Sequence, residues 1–395
     1  MVSYFPYNLS CQDFIVLKIM IKPLTSLRFL FAFIVFLSHL DYLPKEEIFF
    51  NQIYKSIFKH GSLGVSFFFI LSGFILSYNY KNKILSKEVT FKDFWIARIA
   101  RIYPLHLFTL FLSLPIFFTE AFNGTLLWVS SFLSNLLLLQ SYIPNEKIYF
   151  GFNAVSWSIS NELFYYMAFP FLISVFYKYS KTIFLSLLLL LVIPIGIYLS
   201  PTNVEVFVFG INPLLRITDF IIGILLFRIY ENKIFEGWFK KNSTASLLEI
   251  ITIGIFIVFF SFRNEVPGGY RLSSYYWFPM SLIILVHSYQ RGLISRFLSH
   301  KHFILLGKIS FSFYMLHGLV MRYLLALERR LQIIQHHYIM MLIIFLTIIL
   351  LSYIVYRTIE LPANRYLRNL SRKNRHQEPV ISKEEEVLVE AEILK

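Results

Sequence analysis

Eleven apolar runs, each about 17 to 24 residues long, divide the 395-residue chain. A helix needs about 20 apolar residues to cross the hydrocarbon core of a bilayer, so each run is a candidate span. The runs cover residues 24–43, 61–79, 104–120, 126–143, 154–177, 182–200, 207–228, 246–262, 274–290, 309–326 and 338–357. With 57% hydrophobic and 15% charged residues, a water-soluble fold would leave too much apolar surface exposed. The sequence therefore predicts an all-α, polytopic transmembrane helix bundle.

The connections between these runs carry Lys and Arg unevenly. Strongly basic segments lie at 81–101, 178–181, 228–241, 291–308 and 357–375. Lys and Arg collect on the cytoplasmic side, so all of these basic segments should lie on that side. Eleven consecutive spans would place some of them on the opposite side. If the run at 126–143 is interfacial or re-entrant, the other ten alternate correctly. We predict ten spans, both termini cytoplasmic, in a multi-pass protein of a bacterial inner membrane.

A net charge of +14 is also typical of nucleic-acid-binding proteins. Here the basic residues lie in short connections rather than on one polar face, so we expect no nucleic-acid partner. We predict one membrane domain at residues 1–370 and a charged cytoplasmic tail at 371–395. The outward segment 121–153 is long enough to help shape an external site.

Ionisable residues inside the runs are costly in lipid and mark a site or an internal cavity. They are Arg28, His39, Glu162, Arg216, Asp219, His287 and His317. Eleven residues of helix return to nearly the same face, so Arg28 and His39 can line one internal surface, about 16 Å apart. Near the outer end of the first span, a neutral His39 could accept a proton from a sugar hydroxyl and return it to a leaving thiolate. The alternative is a buried histidine bonded to a neighbouring helix, with Arg28 as an anchor.

Glu162 lies in the segment Trp157–Pro170, on one helix face with Ser158 and with Tyr165 or Tyr166. In the outer half of that span it would be level with His39. There the carboxylate could orient the imidazole and stabilise its protonated form, as the acid of a catalytic triad does. A structural partnership with a buried arginine is the alternative.

Arg98 and Arg101 lie three residues apart, just before Pro104, which suits the first turn of a helix that starts at the cytoplasmic face. Paired guanidiniums bind phosphate groups bidentately. Coenzyme A carries a 3'-phosphate and a pyrophosphate, so this pair is a candidate docking point for acyl-CoA. The two arginines fit a purely anchoring role equally well.

The segment Gly61–Ser77 places Ser66, Gly73 and Ser77 on one face, a pattern that lets membrane helices approach closely. Close packing is the default interpretation, and a backbone-lined passage for the pantetheine arm is the alternative. Further along, Arg216 and Asp219 are three residues apart and are expected to form a structural ion pair.

Two histidines in the later runs have a simpler interpretation. His287 and His317 are both expected to be satisfied core residues, with a proton-carrying role for His317 as the alternative.

Motifs in order along residues 22–367 resemble those of the integral-membrane acyltransferase family 3. They are Arg28 with His39, Ser72-Gly73-Phe74, Arg98 to Arg101 with Tyr103-Pro104, Trp157-Ser158 with Glu162, Pro213 to Gly223 with Arg216, Gly307 to Ser310 through Tyr314 to His317, and Glu360-Leu361-Pro362. No single motif is specific for this family, but the order of the motifs along the chain is. The resemblance implies a ten-span acyltransferase core with His39 as the catalytic base and with Arg98 and Arg101 as contacts to acyl-CoA.

The chain departs from the family pattern in two places. Members that acetylate peptidoglycan or O-antigen often carry a fused extracytoplasmic domain, in place of which this chain has a short tail, so we expect it to act alone or with a separate extracytoplasmic partner. Many members have Val-Glu where this chain has Asn161-Glu162-Leu163. The carboxylate partner of His39 is therefore less firmly assigned than His39 itself.

These observations lead to one predicted function, a membrane O-acyltransferase that moves an acyl group, acetyl above all, from acyl-CoA to a sugar hydroxyl of a surface polysaccharide, such as an O-antigen, or of a lipid-linked glycan. His39 and Glu162 are the predicted catalytic residues. Residues predicted to bind acyl-CoA or the acceptor are Arg28, Ser72, Gly73, Arg98, Arg101, Trp157, Arg216 and His317. Acyl-CoA (acetyl-CoA) is a co-substrate, and no metal or permanently bound cofactor is expected.

Two other classes of protein share these features. A transporter of glycans or lipid-linked sugars would also be basic and polytopic, but it predicts paired interrupted helices in two related halves. Pro194 and Pro213 interrupt two runs with no counterpart pair in the first half. A glycan polymerase or ligase would place Arg98 and Arg101 on the wrong side for an outer-leaflet substrate.

Overall fold

The computed structural model describes residues 20–40, 48–61, 63–117, 124–179, 181–202, 204–332 and 337–373. Its helices are α1 Lys22–Ser38, α2 Ile48–Ser56, α3 Leu63–Leu85, α4 Phe91–Phe117, α5 Thr125–Leu136, α6 Glu146–Tyr149, α7 Trp157–Lys178, α8 Lys181–Leu199, α9 Pro213–Glu231, α10 Asn242–Ser261, α11 Gly268–Leu272, α12 Trp277–Ser288, α13 Leu293–Leu298, α14 Lys301–Leu331, α15 His337–Val355 and α16 Leu361–Lys373. No β-strand occurs within those ranges, which confirms the all-α prediction. The predicted tail lies outside the described residues beyond Lys373.

Each of the ten predicted spans overlaps a helix of this bundle, although the run at 207–228 is divided and the run at 274–290 holds only the 12-residue α12. Six helical segments of the described chain are long and apolar enough to cross a membrane on their own, namely Gln52–Leu85, Phe91–Phe117, Ala154–Lys178, Asn242–Glu265, Lys301–Leu331 and Tyr338–Leu367. The run at 126–143 instead forms the 12-residue α5, which ends at Leu136. A helix of that length rises about 18 Å, less than the hydrocarbon thickness, but α12 is equally short, so helix length does not separate this run from the predicted spans. The count of ten spans and the cytoplasmic termini stay predictions.

Helix α1 packs along the 31-residue α14 and against α3. Phe29 meets Phe313 edge-on with ring centroids 5.2 Å apart, and Phe31 stacks on Phe67 at 3.8 Å. Gly307 lets the backbones of α14 and α1 touch, because a Cβ there would clash with the carbonyl oxygen of Thr25. The first span is thereby held at the centre of the bundle.

The α3–α9 contact depends on two facing glycines. A Cβ at Gly73 would clash with the carbonyl oxygen of Phe220, and one at Gly223 would clash with that of Ile70. Such close approach is what small residues permit between membrane helices. The packing interpretation of this small-residue face is therefore confirmed at Gly73.

Two helix boundaries differ from the sequence predictions. Helix α4 begins at Phe91 with Pro104 inside it, so Arg98 and Arg101 lie two to three turns into the helix rather than in its first turn. The run at 207–228 is broken at Asn212, whose side chain caps α9 by accepting from the backbone N–H of Leu214 at 2.9 Å. The break follows from Pro213, which has no N–H and is favoured at the first position of a helix.

Candidate active site

A cavity of about 140 Å³ opens among helices α1, α3, α4, α7 and α14. Its polar lining comprises Arg28, Ser72, Arg98, Arg101, Ser158, Glu162, Tyr166, Ser310 and Tyr314. The remaining wall is apolar and includes Phe68 and Phe69. The bundle thus brings together side chains from the first, second, third, fourth and sixth sequence motifs, which the sequence could only place on separate helices.

Three guanidiniums reach this cavity with different partners. Arg98 donates to the Tyr80 hydroxyl at 2.9 Å and lies over the Tyr80 ring, and no carboxylate within the described ranges pairs with it. Arg101 forms an ion pair with Glu360, a carboxylate that is almost fully buried and also accepts from Ser312 at 2.7 Å. The side chain of Arg28 forms no hydrogen bond or ion pair with any residue that the structure describes. The cavity therefore carries more positive than negative charge.

The carboxylate of Glu162, on α7, also lines this cavity. It accepts hydrogen bonds from the Tyr166 hydroxyl and, at 3.4 Å, from the Ser72 hydroxyl. Arg28 and Arg101 lie close enough for electrostatic interaction with it. Glu162 thus shares the depth of Arg28 in the bundle.

His39 lies elsewhere, at the C-terminal end of α1 about 16 Å along the helix from Arg28. Its Nδ1 is 2.9 Å from the carbonyl oxygen of Val35 and 3.3 Å from Nε2 of His317. Nδ1 of His317 is 2.6 Å from the carbonyl oxygen of Tyr314. Because carbonyl oxygens only accept, both Nδ1 atoms carry the proton, and the lone pair of His39 lies on Nε2.

This arrangement corrects the predicted pairing of Glu162 with His39. Every hydrogen bond of Glu162 within the described chain goes to Ser72 or Tyr166, and the side chain that holds the His39 ring is His317. The prediction was wrong about the position of Glu162 along the axis of the bundle. Glu162 lies little more than one turn inside α7, which starts at Trp157, but it is level with Arg28 and not with His39. Whether Glu162 takes part in catalysis stays a prediction.

A second, smaller cavity of about 10 Å³ adjoins His39. Phe152, Asn153, Ala154, Val155, Gly318, Leu319 and Arg322 complete its lining. The segment that precedes α7 therefore reaches the histidine, as expected for an outward connection that shapes a site.

One turn of helix separates the two cavities. Val155 and Gly318 line the small one, while Ser158 and Tyr314 line the large one. The Ser158 and Tyr314 hydroxyls are hydrogen-bonded at 2.9 Å. This pair of side chains forms the partition between the cavity of the arginines and the cavity of His39.

The other predicted binding residues lie outside both linings. Arg216 is 1% exposed and forms the expected ion pair with Asp219 at 2.8 Å, and its guanidinium also donates to Ser66 at 3.1 Å. Gly73 packs against α9, and Trp157 meets Phe69 edge-on at 6.4 Å. Their roles as substrate contacts stay predictions.

Sequence reasoning assigned no role to three residues that the structure places at the site. Glu360 pairs with Arg101 although 259 positions of sequence separate them. The only sequence signal for Glu360 was its place in the motif Glu360-Leu361-Pro362. Arg322 lies four positions beyond Gly318 and shares its helix face, but neither residue is three or four positions from His317, so the spacing gave no signal for them.

Long apolar helices surround a cationic cavity, with a second, smaller cavity beside His39, and this combination is that of a multi-pass membrane protein with an internal polar site. Residues 22–357 match the family model described as the Acyltransferase domain. The chain belongs to this family, acyltransferase family 3, and is a multi-pass membrane acyltransferase.

Characterised relatives agree with this assignment. The chain is 29% identical to Acyltransferase MdmB of Streptomyces mycarofaciens over 335 residues, 77% of this chain and 79% of that protein. It is 25% identical to O-acetyltransferase OatA of Staphylococcus aureus over 330 residues, 77% of this chain and 53% of that protein. The alignment thus spans about half the length of OatA. No solved structure matches the chain.

Proposed function

We propose that this protein transfers an acetyl group from acetyl-CoA to a sugar hydroxyl of a surface polysaccharide or lipid-linked glycan at a bacterial inner membrane. The observation that carries the proposal is the placement of His39 one helical turn from a cavity lined by three arginines. The printed name of OatA, an O-acetyltransferase, supports oxygen as the acceptor atom and acetyl as the group.

The donor would bind in the larger cavity. Arg28 and Arg98 offer guanidinium N–H groups that suit the phosphates of coenzyme A. The basic connection at 81–101, which leads into α4, supports access from the cytoplasm. From there the thioester would extend along α1 toward His39.

The chemical step would use His39 Nε2 as a general base. It takes the proton of the sugar hydroxyl while that oxygen attacks the thioester carbonyl carbon, and the C–S bond breaks. The proton then passes from Nε2 to the thiolate, which leaves as free coenzyme A. During the step Nδ1–H of His39 would be shared between the carbonyl oxygen of Val35 and Nε2 of the neutral His317, and both acceptors would stabilise the positive charge on the His39 ring.

The test is transfer of radiolabelled acetyl from acetyl-CoA into cell-envelope glycan by membranes with equal amounts of wild type or variant. His39→Gln should lower the rate about 10²- to 10⁴-fold, as loss of a general base does. His302→Gln, at an exposed histidine, is the matched control and should leave the rate unchanged. Wild-type rates in a folded His39→Gln protein would refute the mechanism, and an absence of label from the wild type with any acyl-CoA would refute the function.

A further inference from the structure

Gly318 on α14 differs from the other glycines that face the centre of the bundle. Gly307 on the same helix, and Gly73 and Gly223 in the α3–α9 contact, are each required because a Cβ would strike a neighbouring backbone. A Cβ at Gly318 would meet nothing within 4 Å. Glycine inside a helix costs about 1 kcal/mol relative to alanine. Packing therefore gives no reason for the missing side chain.

Gly318 is also one of the residues that line the small cavity next to His39. A volume of about 10 Å³ is close to the least that holds one water molecule, or one hydroxyl group. A methyl group at position 318 would fill a large part of it. The size of the cavity thus depends directly on the absence of a side chain there.

Two polar side chains that line this cavity, Arg322 and Asn153, can hydrogen-bond to oxygen-containing groups. Arg322 lies four residues beyond Gly318, on the same face of α14 and on the side away from the large cavity. Its guanidinium lies over the Phe117 ring at 5.2 Å and carries N–H donors in a planar fork. Asn153 is fixed on the other side by donation from Nδ2 to the carbonyl oxygen of Met315 at 2.9 Å.

We propose that this cavity is the acceptor subsite. It receives one hydroxyl of a carbohydrate at His39, Gly318 limits the group that enters to about the size of a hydroxyl, and Arg322 binds oxygen atoms of the sugar at the rim. The inference rests on the proposed acyl transfer and adds the residues that select the acceptor. Since a water molecule fits where the hydroxyl would, slow hydrolysis of acetyl-CoA to acetate and free coenzyme A is expected in the absence of glycan.

The test compares Gly318→Ala and Gly318→Val with Gly254→Val, a substitution at a glycine of α10 that also has open space around it. Acetyl transfer to envelope glycan and acetate release without glycan should fall together, about tenfold or more for Gly318→Val and less for Gly318→Ala. The KM for acetyl-CoA should stay within twofold, and Gly254→Val should match the wild type in every measurement. Equal thermal unfolding temperatures in detergent will show that the variants are folded.

A second arm uses Arg322→Gln, with the exposed Arg330→Gln on the same helix as its control. Arg322→Gln should raise the KM for glycan about tenfold and leave the KM for acetyl-CoA unchanged. Wild-type transfer by Gly318→Val, or a matching rise in its KM for acetyl-CoA, would overturn the subsite while leaving the proposed function intact. A wild type that transfers no acyl group would overturn both.

Discussion

His317 Nε2 lies 3.3 Å from His39 Nδ1, although 278 positions of sequence separate the two rings. His317 is itself fixed by donation to the carbonyl oxygen of Tyr314, so its Nε2 can only accept. The pair directs the lone pair of His39 away from α14, onto Nε2. A neutral histidine thus occupies the place that a carboxylate takes in a catalytic triad.

Replacing His317 should therefore damage turnover more than donor binding. His317→Leu removes one of the two acceptors near His39 Nδ1–H and leaves the carbonyl oxygen of Val35, and we expect kcat to fall about tenfold, equivalent to about 1.4 kcal/mol. His317→Gln keeps an acceptor oxygen and should recover part of the loss, with KM for acetyl-CoA unchanged in both. His287→Leu is the control, because His287 is equally buried and bonds only within α12. Equal kcat values for the Leu and Gln variants would contradict a positioning role.

Arg98 should contribute to donor affinity through the phosphates. We expect Arg98→Gln to raise the KM for acetyl-CoA about 10- to 100-fold and to leave the KM for acetyl-pantetheine, which has no phosphate, unchanged. Steady-state kinetics with both donors measures this difference. Lys92→Gln, at an exposed position of the same helix, serves as the control. An equal rise in the KM for both donors would show that Arg98 stabilises the fold and does not bind the phosphates of acetyl-CoA.

Arg101 should matter for stability, because its partner Glu360 is only 1% exposed at the side chain. Arg101→Gln leaves that carboxylate buried without its cation, which costs about 3 to 5 kcal/mol. The thermal unfolding temperature in detergent should fall, and the double variant Arg101→Gln/Glu360→Gln should recover much of the loss. A double variant as unstable as the single one would contradict this account.

The partition between the two cavities should limit passage of the acyl group. Tyr314→Phe removes the hydrogen bond to Ser158, worth about 0.5 to 1.5 kcal/mol. We expect acetyl-CoA hydrolysis in the absence of glycan to rise about two- to tenfold. Tyr323→Phe, on the same helix as Tyr314, is the control, since the Tyr323 hydroxyl donates to the carbonyl oxygen of Leu112 on α4 and neither residue lines a cavity. A large loss of activity in Tyr314→Phe would instead assign its hydroxyl to the chemistry.

The glycine contact between α3 and α9 should tolerate no methyl group. Gly73→Ala forces the two backbones apart at Phe220, and overpacking of this kind costs about 1 to 3 kcal/mol. Thermal unfolding in detergent should occur at a lower temperature than in the wild type. Gly254→Ala, in open space, should be neutral or slightly stabilising. An unchanged unfolding temperature for Gly73→Ala would show that α9 can shift away without loss.

The sequence predicted the helices well because hydrophobic length and loop charge are local properties. It also paired Arg216 with Asp219 correctly, since residues three apart on a helix are neighbours. The prediction that Glu162 lies beside His39 was wrong. How far one helix is shifted along its axis relative to another depends on tertiary packing, and the periodicity of a sequence contains no information about that shift. For the same reason, the contacts of His317 with His39 and of Glu360 with Arg101 were visible only in three dimensions.

The partition formed by Tyr314 and Ser158 divides the protein into two parts that can change separately. Substitutions in the segment 152–155 and at Gly318 and Arg322 would alter the neighbourhood of His39 without touching Arg28 or Arg98. Under the proposed function, one cavity for acyl-CoA could in this way be combined with different acceptor alcohols. For protein engineering, this makes residues on the His39 side of the partition the natural library for new ester products.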